Sequence, residues 1–422
     1  MMKDKVILAE GCIYETGGMI NDNVIVVGGT GCGKTMSVSE PRLLETKNSS
    51  LVLTISKRKL VKKYTPLFLQ RGYQVWDLNF VEPQKATVSY DPLAYISSYT
   101  DIRFLAQSIV KANPQKQKNT GADPYWDEAA ISLLCAEIAY TMATKGEAAT
   151  FTDVLEMHDT LSFEDANGVI RTSLDVQFEY LKKKNPTHFA VTCWKSFKQL
   201  PIRTASCVFS ALNTTLDNIF TAELREMIKQ SKHVDFTSLA SKKTILFVSV
   251  SPVNPALHTF VNMFYSQCFK SLFEFAERRE DGMLPLPVHV LCDDFAVGGK
   301  IVGFEHFISI FREKGISVTL ILQSETQLEA IYGEMEATTI INNADTYLYM
   351  GGMDLKTGRS ISQRLNMPLD DVLYMPIGQV ALFRRGQRPI VTQRYDIMTN
   401  TLYQAVTKEY EKNVLRAERQ SA

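Results

Sequence analysis

At 422 residues, with 45% apolar and 10% aromatic side chains, the chain has an ordinary globular composition and room for two or three packed domains. Its 46 Lys plus Arg equal its 46 Asp plus Glu, so net charge argues neither for nor against a polyanionic partner, and any nucleic-acid surface must come from local patterning or assembly. No stretch approaches the roughly 18 to 20 uncharged apolar residues of a membrane-spanning helix, and the start MMKDKVILAEG is no secretory signal, so the expectation is a soluble, cytoplasmic chain.

The first predicted element is the strand-like VIVV at 24–27, followed at once by GGTGCGKT at 28–35 and a helical pattern. Gly28, Gly33, Lys34 and Thr35 satisfy G-x-x-x-x-G-K-[ST] in its proper context between strand and helix. Gly28, Gly29, Thr30, Gly31, Cys32, Gly33, Lys34, Thr35 and Met36 are therefore the expected nucleotide cradle. Glycines let successive N–H groups turn toward one centre, and the helix start adds positive potential, which suits a triphosphate such as ATP. Lys34 is expected on the β and γ phosphates and Thr35 on Mg²⁺. Cys32 reads either as an oxidisable thiol or as a small residue that fits. The seven cysteines are scattered without a CxxC, as expected of reduced thiols.

Short runs rich in Val, Ile and Leu predict further buried strands at 51–55, 244–250, 288–292 and 316–322, an α/β pattern with a mainly parallel sheet. Between them, segments such as DEAAISLLCAEIAYTMA repeat apolar residues at helical spacing, which predicts an inserted all-α domain. The expected division is 1–98 and 243–398 for the two parts of a nucleotide-binding domain, 99–242 for the helical insertion, and 399–422 for a charged helix or tail. In the insertion, HFAVTCWKSFKQLPIRTA at 188–205 interleaves aromatic and basic residues; Trp194, Phe197 and Ile202 are expected in a helix core rather than stacked on bases.

VHVLCDDFAVGG at 288–299 is an apolar strand ending in two acids. After a phosphate loop, Asp293 is expected in the Mg²⁺ shell and Asp294 on the attacking water.

These pieces, with EPRLL at 40–44, YDPL at 90–93, DPYWDEAA at 123–130, FREKGI at 311–316, LILQSETQLEAIYG at 320–333, TIINNADTYLYMGGMD at 339–354 and RRGQRPIV at 384–391, occur in the order found in TraG-type coupling proteins. The chain resembles this family of bacterial type IV secretion and conjugation, related to the FtsK and HerA hexameric DNA motors, over 20–395. The resemblance implies a RecA-like P-loop fold carrying an all-α domain. It also implies a homo-hexamer in which Arg312 acts as a finger on the neighbour's nucleotide and Gln323 senses the γ-phosphate. The implied partners are single- or double-stranded DNA, relaxase and relaxosome proteins, and the ATPases of the secretion channel or a separate membrane anchor.

Three departures stand out. ISKRK at 55–59 replaces an aspartate-proline-lysine-glycine-glutamate run, keeping Lys57 but inverting the charge; a phosphate or protein contact and a solvated basic turn are both open there. Asp294 replaces a usual glutamate, which points to slower hydrolysis or to a loop that must move inward. The pair of membrane helices typical of the family does not precede the phosphate loop: either that anchor has been removed or the chain is a naturally soluble version, which is expected to attach at the inner membrane through a partner. KRKLVKK at 57–63 and RRGQR are candidate DNA contacts, with plain surface solubility as the default. The reading is an ATPase that recruits relaxase-bound DNA and drives its transfer; a docking platform with little hydrolysis, another DNA-pumping ATPase of the same kind and, last, a metabolic phosphotransferase are the alternatives.

Overall fold

The computed structural model describes residues 3–111, 124–166, 169–251, 255–295 and 300–421. Asp123 of DPYWDEAA and the 296–299 end of VHVLCDDFAVGG lie outside the described residues.

The strands β1 (Lys5–Ala9) and β2 (Cys12–Glu15) pair as an antiparallel hairpin. The strands β3 (Val24–Val27), β4 (Ser50–Ile55) and β5 (Gln74–Asn79) precede the helical block. Among its described residues that block is helical apart from a second hairpin, β6 (Phe163–Ala166) with β7 (Val169–Thr172), each four residues long. After it come β8 (Thr244–Ser249), β9 (Val288–Cys292), β10 (Ile316–Leu322), β11 (Thr346–Tyr349), β12 (Gln379–Arg384) and β13 (Ile390–Gln393).

One nine-stranded sheet has the order β13-β12-β11-β3-β10-β9-β4-β8-β5. It is parallel from β11 to β5, with β12 and β13 antiparallel at one side. The parallel strands β3, β4, β8 and β9 are buried along their whole length, as strands covered on both faces must be. Alternate residues serve opposite faces: Ile25 and Val27 join the core that contains the helix Pro255–Glu277, whereas Val24 and Val26 join the one that contains Lys59–Gln70 and the start of Thr401–Ser421.

The helical block shares the first of these cores. Phe220 meets Phe260 of the helix Pro255–Glu277 edge-on at 5.5 Å and stacks on Phe151 at 4.5 Å. Trp194 stacks on Phe178 at 4.2 Å and Phe197 is fully buried, so the aromatic stretch of this block is spent on packing. The C-terminal segment is a helix, Thr401–Ser421, docked through the buried Tyr403 and Val406. Among the described residues no helix is long and apolar enough to cross a membrane.

Candidate functional site

The phosphate loop leaves β3 at the edge of the sheet where the parallel strands end. Two of its glycines, Gly31 and Gly33, have φ of +82° and +91°, a region that side chains with a Cβ rarely enter. At Gly33 the space is also closed, since a Cβ would lie 2.2 Å from Arg394 Nη1. Gly28 and Gly29 serve differently: their N–H groups donate to the carbonyls of Leu322 and Gly351, which anchors the loop to neighbouring chain segments. Among the described residues the N–H groups of Thr30, Gly31 and Gly33 have no such acceptor. Lys34 Nζ is held over the loop by the carbonyls of Gly28 (2.5 Å) and Gly29 (3.0 Å).

The helix that follows opens with a π-helical turn, Thr35–Ser39, and continues as Glu40–Glu45. Pro41 lacks the N–H that a regular α-helix needs at its position, and Glu40 N–H reaches back to the Thr35 carbonyl instead.

The sheet order then assembles the site. Strand β10 lies between β3 and β9, so Gln323, the residue after it, falls between the phosphate loop and the Asp293–Asp294 pair. A cavity of about 330 Å³ is walled by Thr30, Gly31, Gly33, Lys34, Thr35 and Met36 on one side and by Ser56, Lys57, Asp293, Asp294 and Gln323 on the other. Gly28, Gly29 and Cys32 of the expected cradle are not among its walls.

Thr35 Oγ1 donates to Asp293 Oδ2 at 3.1 Å. Burial raises the Asp293 carboxyl above the usual aspartate range, and the neighbouring Asp294 adds to this, against the Thr35 hydrogen bond and the charges of Lys34 and Lys57. Asp294 has φ +56°, the left-handed region, so the chain turns sharply as it leaves β9. An oxygen ligand set of hydroxyl and carboxylate beside a lysine matches the demands of Mg²⁺ bound with phosphates.

The basic turn after β4 resolves into separate tasks. Ser56 and Lys57 face the cavity, as expected for residues at the carboxyl end of a parallel strand. Arg58 instead forks onto Asp77, two contacts of 2.6 Å, and reaches Ser249 Oγ at 2.6 Å, which ties β4, β5 and β8 together. Lys63 is buried, 2.8 Å from Glu40 Oε2 and 3.7 Å from the centre of the Tyr403 ring. Of the candidate DNA contacts in KRKLVKK, Arg58 and Lys63 are thus committed inside the molecule.

Sequence reasoning missed Arg394 and Tyr395. Arg394 Nη1 donates to the Cys32 carbonyl at 2.9 Å, and both residues line a second cavity of about 410 Å³ that shares Met36 with the first. No local signal marks them, because their neighbours in space are some 360 positions away in the chain.

Arg312 stands apart. It lies in the last turn of the helix Phe304–Lys314, just before β10 begins, whereas the cavity is where β10 ends. Seven residues of strand at about 3.3 Å each place the two about 20 Å apart. The guanidinium is exposed and donates to the Met19 carbonyl at 2.5 Å.

A glycine loop and paired acids at the carboxyl edge of a mainly parallel sheet, beside a helical insertion, define a P-loop protein of the RecA-like class. The chain belongs to the type IV secretory system conjugative DNA transfer family, whose model matches residues 1–367. Among solved structures it is similar to the plasmid coupling protein TrwB in complex with the non-hydrolysable ATP analogue ADPNP, with TM-score 0.63 and 15% identity over 88% of this chain and 85% of that one. TrwB with ADP and Mg²⁺ gives TM-score 0.60 at 15% identity and the same coverage. VirB4 of Thermoanaerobacter pseudethanolicus gives 0.56 at 12% identity, over 89% of this chain and 90% of that one. No curated protein matches the chain.

Proposed function

We propose that this chain is an ATPase that binds ATP with Mg²⁺ in the cavity beside Lys34 and uses its turnover to drive relaxase-bound DNA toward a secretion channel. The observation that carries this reading is that one cavity holds Lys34, Thr35, Asp293, Asp294 and Gln323. The N–H groups of Thr30, Gly31 and Gly33 and the Lys34 ammonium take the phosphate oxygens, and the Met36 side, with Arg394 and Tyr395, takes the ribose and base. Thr35 and Asp293 hold Mg²⁺, which neutralises phosphate charge. Asp294 accepts the proton of the attacking water as the bond to the γ-phosphate breaks, leaving ADP and phosphate. Gln323 orients that water.

Arg312 is about 20 Å away along β10 and cannot serve the nucleotide of its own chain. In a ring, here a homo-hexamer, it reaches the neighbour's γ-phosphate, where a planar fork matches developing charge. Membership of a conjugative DNA transfer family supports DNA as cargo, relaxosome proteins and channel ATPases as partners, and attachment at the inner membrane through a separate anchor. A second reading, nucleotide-controlled docking with little turnover, is favoured by one feature: Asp294 pairs a short side chain with a left-handed backbone.

An ATPase assay with and without single-stranded DNA tests both. The motor reading expects DNA-stimulated turnover, lost in Lys34→Ala and in Arg312→Ala, and partly restored when the two inactive proteins are mixed. Full activity of Arg312→Ala removes the shared site; binding of ATP without turnover selects the docking platform.

A further inference from the structure

We propose that the opposite edge of the sheet carries a second anion site, built on Arg42, whose ligand is a small phosphate-class oxyanion. The helix leaving the phosphate loop runs back across the sheet and delivers Arg42 to the edge where β9 and β10 begin. A cavity of about 450 Å³ opens there, with Lys3, Asp4, Asp22, Arg42, His289 and Arg312 among its walls.

Arg42 is only 6% exposed; its Nε and Nη1 are closed off from solvent without a hydrogen-bond partner among the described residues, so Nη2 is the nitrogen left to meet a ligand in the cavity. A guanidinium has five N–H donors and keeps its charge under all ordinary conditions, so a buried one short of acceptors is a costly arrangement. The two carboxylates whose charges act on Arg42 make their hydrogen bonds elsewhere. Asp4 Oδ1 accepts from the N–H groups of Lys47 (2.9 Å) and Asn48 (2.8 Å), and its Oδ2 from the Ser49 hydroxyl. Asp22 Oδ2 accepts from Gly17 N–H at 2.8 Å.

His289 adds no charge: burial holds it neutral, and its two ring nitrogens face the Ser317 and Thr319 hydroxyls at 2.7 and 3.0 Å. Arg312 spends Nη2 on the Met19 carbonyl and has further N–H donors at the cavity wall. Three cations, Lys3, Arg42 and Arg312, therefore surround a space short of acceptors, with Asp4 and Asp22 as the opposing charges. A tetrahedral oxyanion supplies several acceptor oxygens at once and balances the excess charge. The site does not contain Lys34 and does not rest on the nucleotide reading.

The test uses the full chain carrying Lys34→Ala, which removes the phosphate loop as a competing site. Inorganic phosphate is titrated into it by calorimetry, alone and in the presence of ADP with a chelator. Uptake of one equivalent is expected, weakened at least tenfold by Arg42→Leu and severalfold by Arg312→Gln. If Arg42→Leu does not fold, Arg42→Lys replaces it, and a loss of at least threefold is expected because the fork is gone. Uptake unaffected by ADP identifies free phosphate as the ligand, and displacement by ADP identifies the phosphate tail of a nucleotide. No uptake by the Lys34→Ala chain means that water alone fills the cavity and overturns the proposal, as does uptake that the Arg42 variants leave unchanged.

Discussion

The Thr35 hydroxyl lies 3.1 Å from Asp293 Oδ2, joining the first helical residue after the phosphate loop to the end of a strand 258 positions further along. This contact closes the candidate site, because it brings the two motifs to one point. It also places a carboxylate where burial and Asp294 both disfavour its charge. A group held in such a position has consequences for stability as well as for chemistry.

Asp293→Asn removes that charge. The folded pKa of Asp293 is raised, so its contribution to stability is fully present below the unfolded value and is lost as pH rises through the folded one. The amide suffers no such loss. The variant should melt higher than wild type at pH 7.5, with the gap closing as pH falls to the ordinary aspartate range. Magnesium-dependent turnover should fall about 100-fold or more. Thermal melts across pH without metal check the first part; a variant less stable at pH 7.5 counts against it.

Asp294→Asn separates backbone from chemistry. Asparagine tolerates the left-handed conformation at φ +56° as well as aspartate does, so folding should be unchanged. Turnover should drop about 100-fold while nucleotide affinity stays within about threefold, since only the proton acceptor is lost. Loss of affinity in proportion to rate would place Asp294 in binding.

Arg58 and Lys63 are assigned to stability. Arg58→Ala leaves the buried Asp77 without its fork and should cost about 2 kcal/mol in urea unfolding. Lys63→Ala strands the buried Glu40 and should cost about 3 kcal/mol. Neither should reduce the salt dependence of DNA binding, as loss of a phosphate contact would. A reduced slope for Lys63→Ala would return it to the DNA surface.

The helical block contains a pH-sensitive pair, His158 Nδ1 and Glu137 Oε1, at 2.9 Å and fully buried. Burial alone would lower the His158 pKa, but the Glu137 carboxylate outweighs it and the pKa is raised. Its stabilisation is therefore present below the unfolded value and lost as pH rises through the folded one. Wild type should lose stability as pH rises above 6.5 more steeply than His158→Leu. Parallel curves for the two proteins would refute the coupling.

Much of the architecture is legible in the order of the amino acids. The strands read at 24–27, 288–292 and 316–322 coincide with β3, β9 and β10, and those at 51–55 and 244–250 with β4 and β8 to within one residue. Continuous Val, Ile and Leu runs between turn residues admit little else in a covered parallel sheet. Strands β5, β11, β12 and β13 are not legible in this way: QVWDLN, TYLY, QVALFR and IVTQ mix polar residues into short segments, and β13 is an exposed edge. Their existence depends on a partner strand rather than on their own composition.

The amino-acid sequence alone determined the loop, the paired acids and the helical insertion, because glycine spacing and apolar period act over a few neighbouring residues. Only the tertiary structure decided that β10 lies between the two motifs, that Arg58 and Lys63 turn inward, that Arg394 crosses the loop, and that Arg42 is buried with two nitrogens unpartnered among the described residues. Each of these is a relationship between distant positions, and its energy comes from burial and charge pairing that exist once the sheet has closed around them.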